Sequence, residues 1–170
     1  MVTRFSVINR PRRARDQRGA VAVEFALIMP MLCILVFGII EFGFMINRDM
    51  IVGNASRDGA RAASLADPYA DICKSIKEEL SASGIPVPNP ATPTNGNCAV
   101  DASSATTILI TCKKPPPDGT ACSTAYDTDA VSGATAVVEI SYDHTLITPF
   151  ISSIVGDVVS LGQSTQMRVE

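Results

Sequence analysis

The chain has 170 residues, enough for one domain of ordinary size or for a small domain with a membrane anchor. The segment before Ala20 holds six Arg and one Asp, a charge of +5, which leaves −8 for the rest of a chain whose net charge is −3. Because an acidic body repels phosphate groups, this distribution argues against a nucleic-acid-binding protein.

An apolar segment follows the basic N-terminus. Residues 25–40 carry no charge, and residues 20–46 carry only Glu24 and Glu41. A helix over residues 20–46 would be about 40 Å long and would cross a hydrocarbon core of roughly 30 Å. Pro30 should bend this helix, as membrane helices tolerate. We therefore predict one span in the lipid bilayer, with the Arg-rich N-terminus in the cytoplasm and the body outside.

Two observations concern the nature of this segment and its outer end. A cleaved secretory signal would need a small-x-small site after the apolar run, and residues 41–45 (EFGFM) do not provide one. Glu41 is interpreted as a solvated charge at the outer end of the span. Cytoplasmic residues 1–19 would thus precede a helix over residues 20–66.

The part of this helix beyond the membrane is predicted to be amphipathic, because apolar and small residues recur every three or four positions. Its predicted apolar row is Phe42, Ile46, Met50, Gly53, Ala60 and Ala63. The charged residues Arg48, Asp49, Arg57, Asp58 and Arg61 should occupy the other faces.

Residues 67–170 predict a small extracytoplasmic α+β domain with an antiparallel sheet of at least three strands, since the connections are too short for crossover helices. Period-two alternation places Ala136, Val138, Ile140 and Tyr142 on one face of a strand. The predicted elements are a helix over residues 68–83, a Pro-rich loop over 85–97, a strand over 106–112, a long loop over 113–133, a strand over 134–143, a short helix beginning at Thr148, and a strand over 158–169.

Four of the five cysteines lie in this outer domain, where an oxidising compartment would favour two disulfides. They are Cys73, Cys98, Cys112 and Cys122, and Cys33 lies in the apolar run. Three pairings are open, one of which would clip the long loop. We expect no metal or cofactor, because the sequence has no C-x-x-C pair and a single histidine.

No catalytic motif stands out. The sequence holds no G-x-S-x-G, H-E-x-x-H or phosphate-loop pattern. His144, beside Asp143 at the end of a predicted strand, is interpreted as a surface residue. We therefore predict no catalytic residue and no small-molecule substrate, and we expect the protein not to be an enzyme.

Residues 18–30 read RGAVAVEFALIMP and are followed by E-F-G at residues 41–43 and D-G-A-R at residues 58–61. This combination resembles the TadE-like family, small membrane proteins of the bacterial tight-adherence (Flp, type IVb) pilus system. The resemblance covers roughly residues 18–63, and the last five residues, QMRVE, also resemble the family C-terminus.

The resemblance implies a pseudopilin-like protein of the bacterial inner membrane that acts through helix packing and protein–protein contacts. A prepilin peptidase would cut between Gly19 and Ala20, which makes Glu24 the fifth mature residue and an assembly charge. The implied partners are this peptidase and other pilin-like or Tad assembly proteins.

The residues leave alternatives open. Glu24 could pair with the new amine of Ala20 in its own chain or in a neighbour, or it could only reach the lipid headgroups. The whole chain could instead be a membrane-anchored binding or sensing module with no pilus role.

Overall fold

The computed structural model describes residues 15–87, 97–99, 105–122, 126–148, 151–153 and 156–170. The chain divides into two compact units, Met1–Ile39 and Ile40–Glu170. Helix α1 (Arg15–Ser64) supplies the described residues of the first unit and the first element of the second.

Helix α1 confirms the predicted long N-terminal helix and ends two residues earlier than expected. It continues through Pro30, and the bend expected there stays a prediction. Between Val21 and Ile40 its large apolar side chains are exposed, with Leu27 and Met31 each at 75 %. In the described part of the chain, α1 is the one helix long and apolar enough to cross a bilayer. Exposure of so much apolar surface to water is unfavourable. Helix α1 therefore has the character of a single-pass membrane anchor.

The second unit is built on a four-stranded antiparallel sheet, which confirms the predicted α+β class. The strands are β1 (Asn97–Ala99), β2 (Thr106–Lys113), β3 (Thr135–Thr145) and β4 (Val158–Arg168), and they lie in this order across the sheet. Strand β1 was not predicted, because three residues are too few to show an alternation. The predicted long loop also contains a short helix, α3 (Tyr126–Asp129).

One face of the sheet forms the core with α1 and with α2 (Tyr69–Ala82). The predicted inward face of β3 is confirmed, since Ala136, Val138 and Ile140 are fully buried. The predicted stripe of α2 is confirmed as well, because Ile72, Ile76 and Leu80 lie in the same core. Helices therefore cover this face of the sheet, while Thr107, Thr111 and Glu139 on its other face are exposed.

The face that α1 turns to the sheet differs from the prediction. Ala60 and Ala63 of the predicted apolar row are buried, but Phe42, Ile46 and Met50 of that row are exposed, Phe42 at 62 %. Small residues pack on the sheet instead, because they let the helix backbone come close to the strands. The buried residues of this part of α1 are Glu41, Val52, Ala55, Ser56, Gly59, Ala60 and Ala63.

Gly59 shows why the packing face must be small. A Cβ atom built on Gly59 would lie 2.8 Å from Cγ1 of Ile76 and 3.4 Å from Cγ1 of Val138. Ile76 is itself buried in the core and has little room to move. The glycine of the D-G-A-R segment is therefore the point where α1 approaches both α2 and β3.

Two disulfides close the second unit. The structure joins Cys73 of α2 to Cys98 of β1, and Cys112 of β2 to Cys122 in the following connection. Cys33 is a free thiol. The first disulfide holds the edge strand β1 against α2. The second closes a loop at the start of the long connection between β2 and β3.

We expect non-reducing peptide mapping of protein from intact cells to recover these two pairs and to find Cys33 alkylated. Replacing Cys73 and Cys98 together by serine should destabilise the unit by about 3–4 kcal/mol, and replacing Cys112 and Cys122 by about 2–3 kcal/mol, because the first bridge closes the longer loop. The sequence separations are 25 and 10 residues. Either crossed pairing, or four free thiols, would contradict this arrangement.

Candidate functional site

The residues implicated in processing and assembly all lie on α1. Gly19, Ala20 and Glu24 are exposed, and a Cβ atom on Gly19 would meet nothing within 4 Å. Ala20 and Glu24 are four residues apart and so share one face of the helix. The structure thus leaves these groups accessible to another protein, while their proposed roles stay predictions.

Glu41 is buried, and its interpretation as a solvated charge was wrong. Only 4 % of Glu41 is exposed, although it directly follows the uncharged run of α1. It lies on the packing face of the helix, since 18 residues separate it from Gly59 and this spacing equals five full turns. That relation to the small-residue face is the signal that could have identified Glu41 from the sequence.

His144 is buried as well, with 5 % exposed, and its assignment to the surface was also wrong. The alternation of β3 continues for one more step than we predicted, so that His144 follows Tyr142 on the inward face. Extending the predicted strand by two residues would have placed His144 correctly.

The carboxylate of Glu41 accepts hydrogen bonds from the connection between β3 and β4. The backbone N–H of Ile147 lies 3.1 Å from Oε1 and 3.2 Å from Oε2. Thr148 donates to Oε2 twice, from its backbone N–H at 3.2 Å and from its hydroxyl at 2.7 Å. A buried carboxylate without such donors would be costly, so the connection supplies what water would otherwise provide.

His144 adds an electrostatic contact. Its Nε2 lies 3.4 Å from Oε1 of Glu41, without the alignment of a hydrogen bond. The contact is an ion pair only when the imidazole is protonated on both nitrogens. Glu41 therefore ties α1 to a segment more than a hundred residues later in the chain, and its main partners are the donors of Ile147 and Thr148.

Further polar contacts fix the rest of this helix segment to the sheet. The hydroxyl of Ser56 donates to the carbonyl of Val138 at 3.0 Å and lies 2.9 Å from Oγ1 of Thr165. The side-chain amide of Gln163 donates to Oδ1 of Asp49 at 2.9 Å. These contacts, like those of Glu41, are specific in direction and set the register of α1 on β3 and β4.

Tyr126 fixes the end of α1. Its hydroxyl donates to the carbonyl of Ala63 at 2.7 Å. Burial, together with the negative charges of Asp127 and Asp67, raises the pKa of Tyr126 to about 12. The hydroxyl therefore keeps its proton, and with it the hydrogen bond, over the physiological pH range.

The polar contacts described above hold α1 on the sheet. Among the described residues, no group of three or more His, Cys, Asp or Glu side chains is placed to hold a metal ion. The features that stand out are an exposed apolar helix that carries the accessible carboxylate of Glu24, and the buried carboxylate of Glu41 that docks the helix on the sheet.

Comparison with known protein families supports this description of the helix. A family model described as TadE-like protein matches residues 19–61, which include Gly19, Glu24, Glu41 and Gly59. This confirms the resemblance found in the sequence. No curated protein and no solved structure matches the chain.

Proposed function

We propose that this chain, whose residues 19–61 are TadE-like, is a membrane-anchored pseudopilin-like protein that serves in the assembly of a tight-adherence (Flp, type IVb) pilus. The observation that carries the proposal is the exposed apolar helix with Glu24 near its start. A single anchoring helix needs no carboxylate there, and an apolar residue would enter lipid at lower cost. A charge at this position is understandable if it meets an opposite charge during assembly.

The proposed placement is the bacterial inner membrane, with residues 1–19 in the cytoplasm and residues 67–170 outside. The Arg-rich N-terminus supports this orientation, because Lys and Arg beside a span stay on the cytoplasmic side. The two disulfides support it too, since such bonds persist in oxidising compartments.

The proposed partners are a prepilin peptidase and other pilin-like or Tad assembly proteins. Support comes from the outward face of α1, where bulky apolar residues remain uncovered beyond the first unit. These exposed residues are Ile40, Phe42, Phe44, Ile46 and Met50. Such a face packs well against other helices in or near the membrane.

Processing between Gly19 and Ala20 tests the proposal. N-terminal sequencing of the mature membrane form should begin at Ala20, in cells with an active prepilin peptidase. A Gly19→Val variant should accumulate uncut, because a branched side chain would occupy the position before the cut. Gly38→Val is the matched control, since Gly38 lies on the same helix and also has open space around its Cβ position. An intact Met1 or Val2 terminus in the unaltered protein would rule out processing.

A further inference from the structure

We propose that one end of the sheet docks on the lipid bilayer, in the leaflet that faces the second unit. We call this surface the apolar end and define it by Leu146, Ile147, Ile151 and Val158. The proposal requires that α1 spans a membrane, and it is independent of any role in pilus assembly.

The position of the apolar end relative to the bilayer is inferred from its contact with Glu41. The backbone N–H of Ile147 lies 3.1 Å from this carboxylate, and Glu41 is the first residue after the uncharged run of α1. Side chains of an α-helix point back toward its N-terminus, so the carboxylate lies on the membrane side of its own Cα. Ile147 is therefore held at the level where α1 leaves the bilayer.

The chemistry of this end suits a lipid surface. The sequence carries no charged residue from Thr145 to Gly156. In the structure Ile147 is 65 % exposed and Val158 is 52 % exposed, while Leu146 and Ile151 are half-buried. Ile147 and Val158 are thus two large aliphatic side chains in apolar surface for which water is a poor solvent.

The opposite end of the sheet, where β3 begins, is charged. Strand β3 has 11 residues, about 35 Å at roughly 3.3 Å per residue, so its two ends are well separated. The connection that leads into β3 from β2 carries Lys114, Asp118, Asp127 and Asp129. The connection from β3 to β4, beside Glu41, carries one charged residue, Asp157, at its last position. This difference in charge gives the sheet a direction relative to a membrane.

Several backbone N–H groups of the apolar end have hydrogen-bond partners within the protein, which suits a medium with little water. The N–H of Leu146 donates to the carbonyl of Asp157 at 3.0 Å. Ile151 and Ser152 both donate to the carbonyl of Thr148 at 3.1 Å, and Gly156 donates to that of Ser152 at 2.9 Å. With Ile147 and Thr148 bonded to Glu41, six donors of this segment have partners.

The chain has no tryptophan, so a single introduced indole reports on its own position without background. We would reconstitute the full-length Ile147→Trp variant in phosphatidylcholine liposomes and compare its emission with that in liposomes of brominated phosphatidylcholine. Val131→Trp is the matched control, because Val131 is a similarly exposed aliphatic residue before the start of β3. Val158→Trp repeats the test at a second position of the apolar end.

Docking predicts a blue-shifted emission for Ile147→Trp and Val158→Trp, reduced several-fold by the brominated lipid, while Val131→Trp emits as an indole in water and is not quenched. Water-like, unquenched emission at both positions would overturn the proposal. So would a blue shift without quenching by bromine, because that outcome would show a protein contact in place of lipid. Circular dichroism identical to the unaltered protein is required of each variant, and two positions keep the test decisive if one of them misfolds.

Discussion

Replacing Glu41 by glutamine should destabilise the second unit by about 1–3 kcal/mol, although the side chain hardly changes size. Three donors converge on the two carboxylate oxygens. An amide offers one oxygen and turns an NH₂ group toward donors that need an acceptor. At least one buried N–H or hydroxyl would lose its partner, and the ionic strengthening of the others would disappear.

The expected site of the damage is local. Hydrogen–deuterium exchange of the full-length protein in nanodiscs should show faster exchange over residues 145–148, and thermal unfolding should occur at lower temperature. Glu139→Gln is the matched control, because Glu139 is an exposed carboxylate of β3 and its neutralisation should change stability by no more than about 0.5 kcal/mol.

Thr148→Val separates the hydroxyl from the backbone donors. This variant removes the 2.7 Å hydrogen bond to Oε2 and keeps the N–H of residue 148. In a double-mutant cycle with Glu41→Gln, the two losses should be less than additive, since both variants remove the same contact. Additive effects, or unchanged exchange over residues 145–148 in Glu41→Gln, would contradict the role of Glu41 as the anchor of this connection.

Glu41 also shows where the sequence was insufficient. The elements that dominate the fold followed from local pattern, because the period of β3 and the stripe of α2 are set by the core they face. A glutamate at the edge of an apolar run is usually solvated, and its burial depends on donors from Ile147 and Thr148. The spacing from Glu41 to Gly59 indicates the packing face, but no local pattern identifies Ile147 and Thr148, so distant in the chain, as the donors to this carboxylate.

The side of α1 that packs on the sheet was predicted wrongly for a related reason. Periodicity alone favoured the bulky row of Phe42, Ile46 and Met50 as the packing face. The sheet instead receives the small residues around Ser56 and Gly59, since they permit a close approach. Bulky apolar residues on a helix that leaves a membrane have another use available, in lipid or against other helices. The disulfide pairing was equally open, because it depends on which strand lies beside α2.

Replacing Glu24 by glutamine should abolish pilus production while leaving the membrane level and the processing of the protein nearly intact. This hypothesis is motivated by an exposed carboxylate near the start of an apolar helix. After processing, Ala20 would carry a free amine, and Glu24 of a neighbouring subunit would be its counter-charge. Loss of one partner of a fully buried pair costs about 3–5 kcal/mol, and less near an interface, because the other charge is left without compensation in a region of low dielectric.

A carboxylate that merely reaches the headgroups predicts the opposite result. In that case Glu24→Gln should be harmless or even favour insertion, because a neutral amide enters lipid at lower cost than a charge. Glu24→Asp is the matched control, since it keeps the charge at the same position and should retain more piliation than the amide. Piliation is scored by electron microscopy and by crosslinking to other pilin-like subunits, at equal protein level. Normal piliation of Glu24→Gln would show that the charge has no role in assembly, and the function of Glu24 would then be confined to the surface of the bilayer.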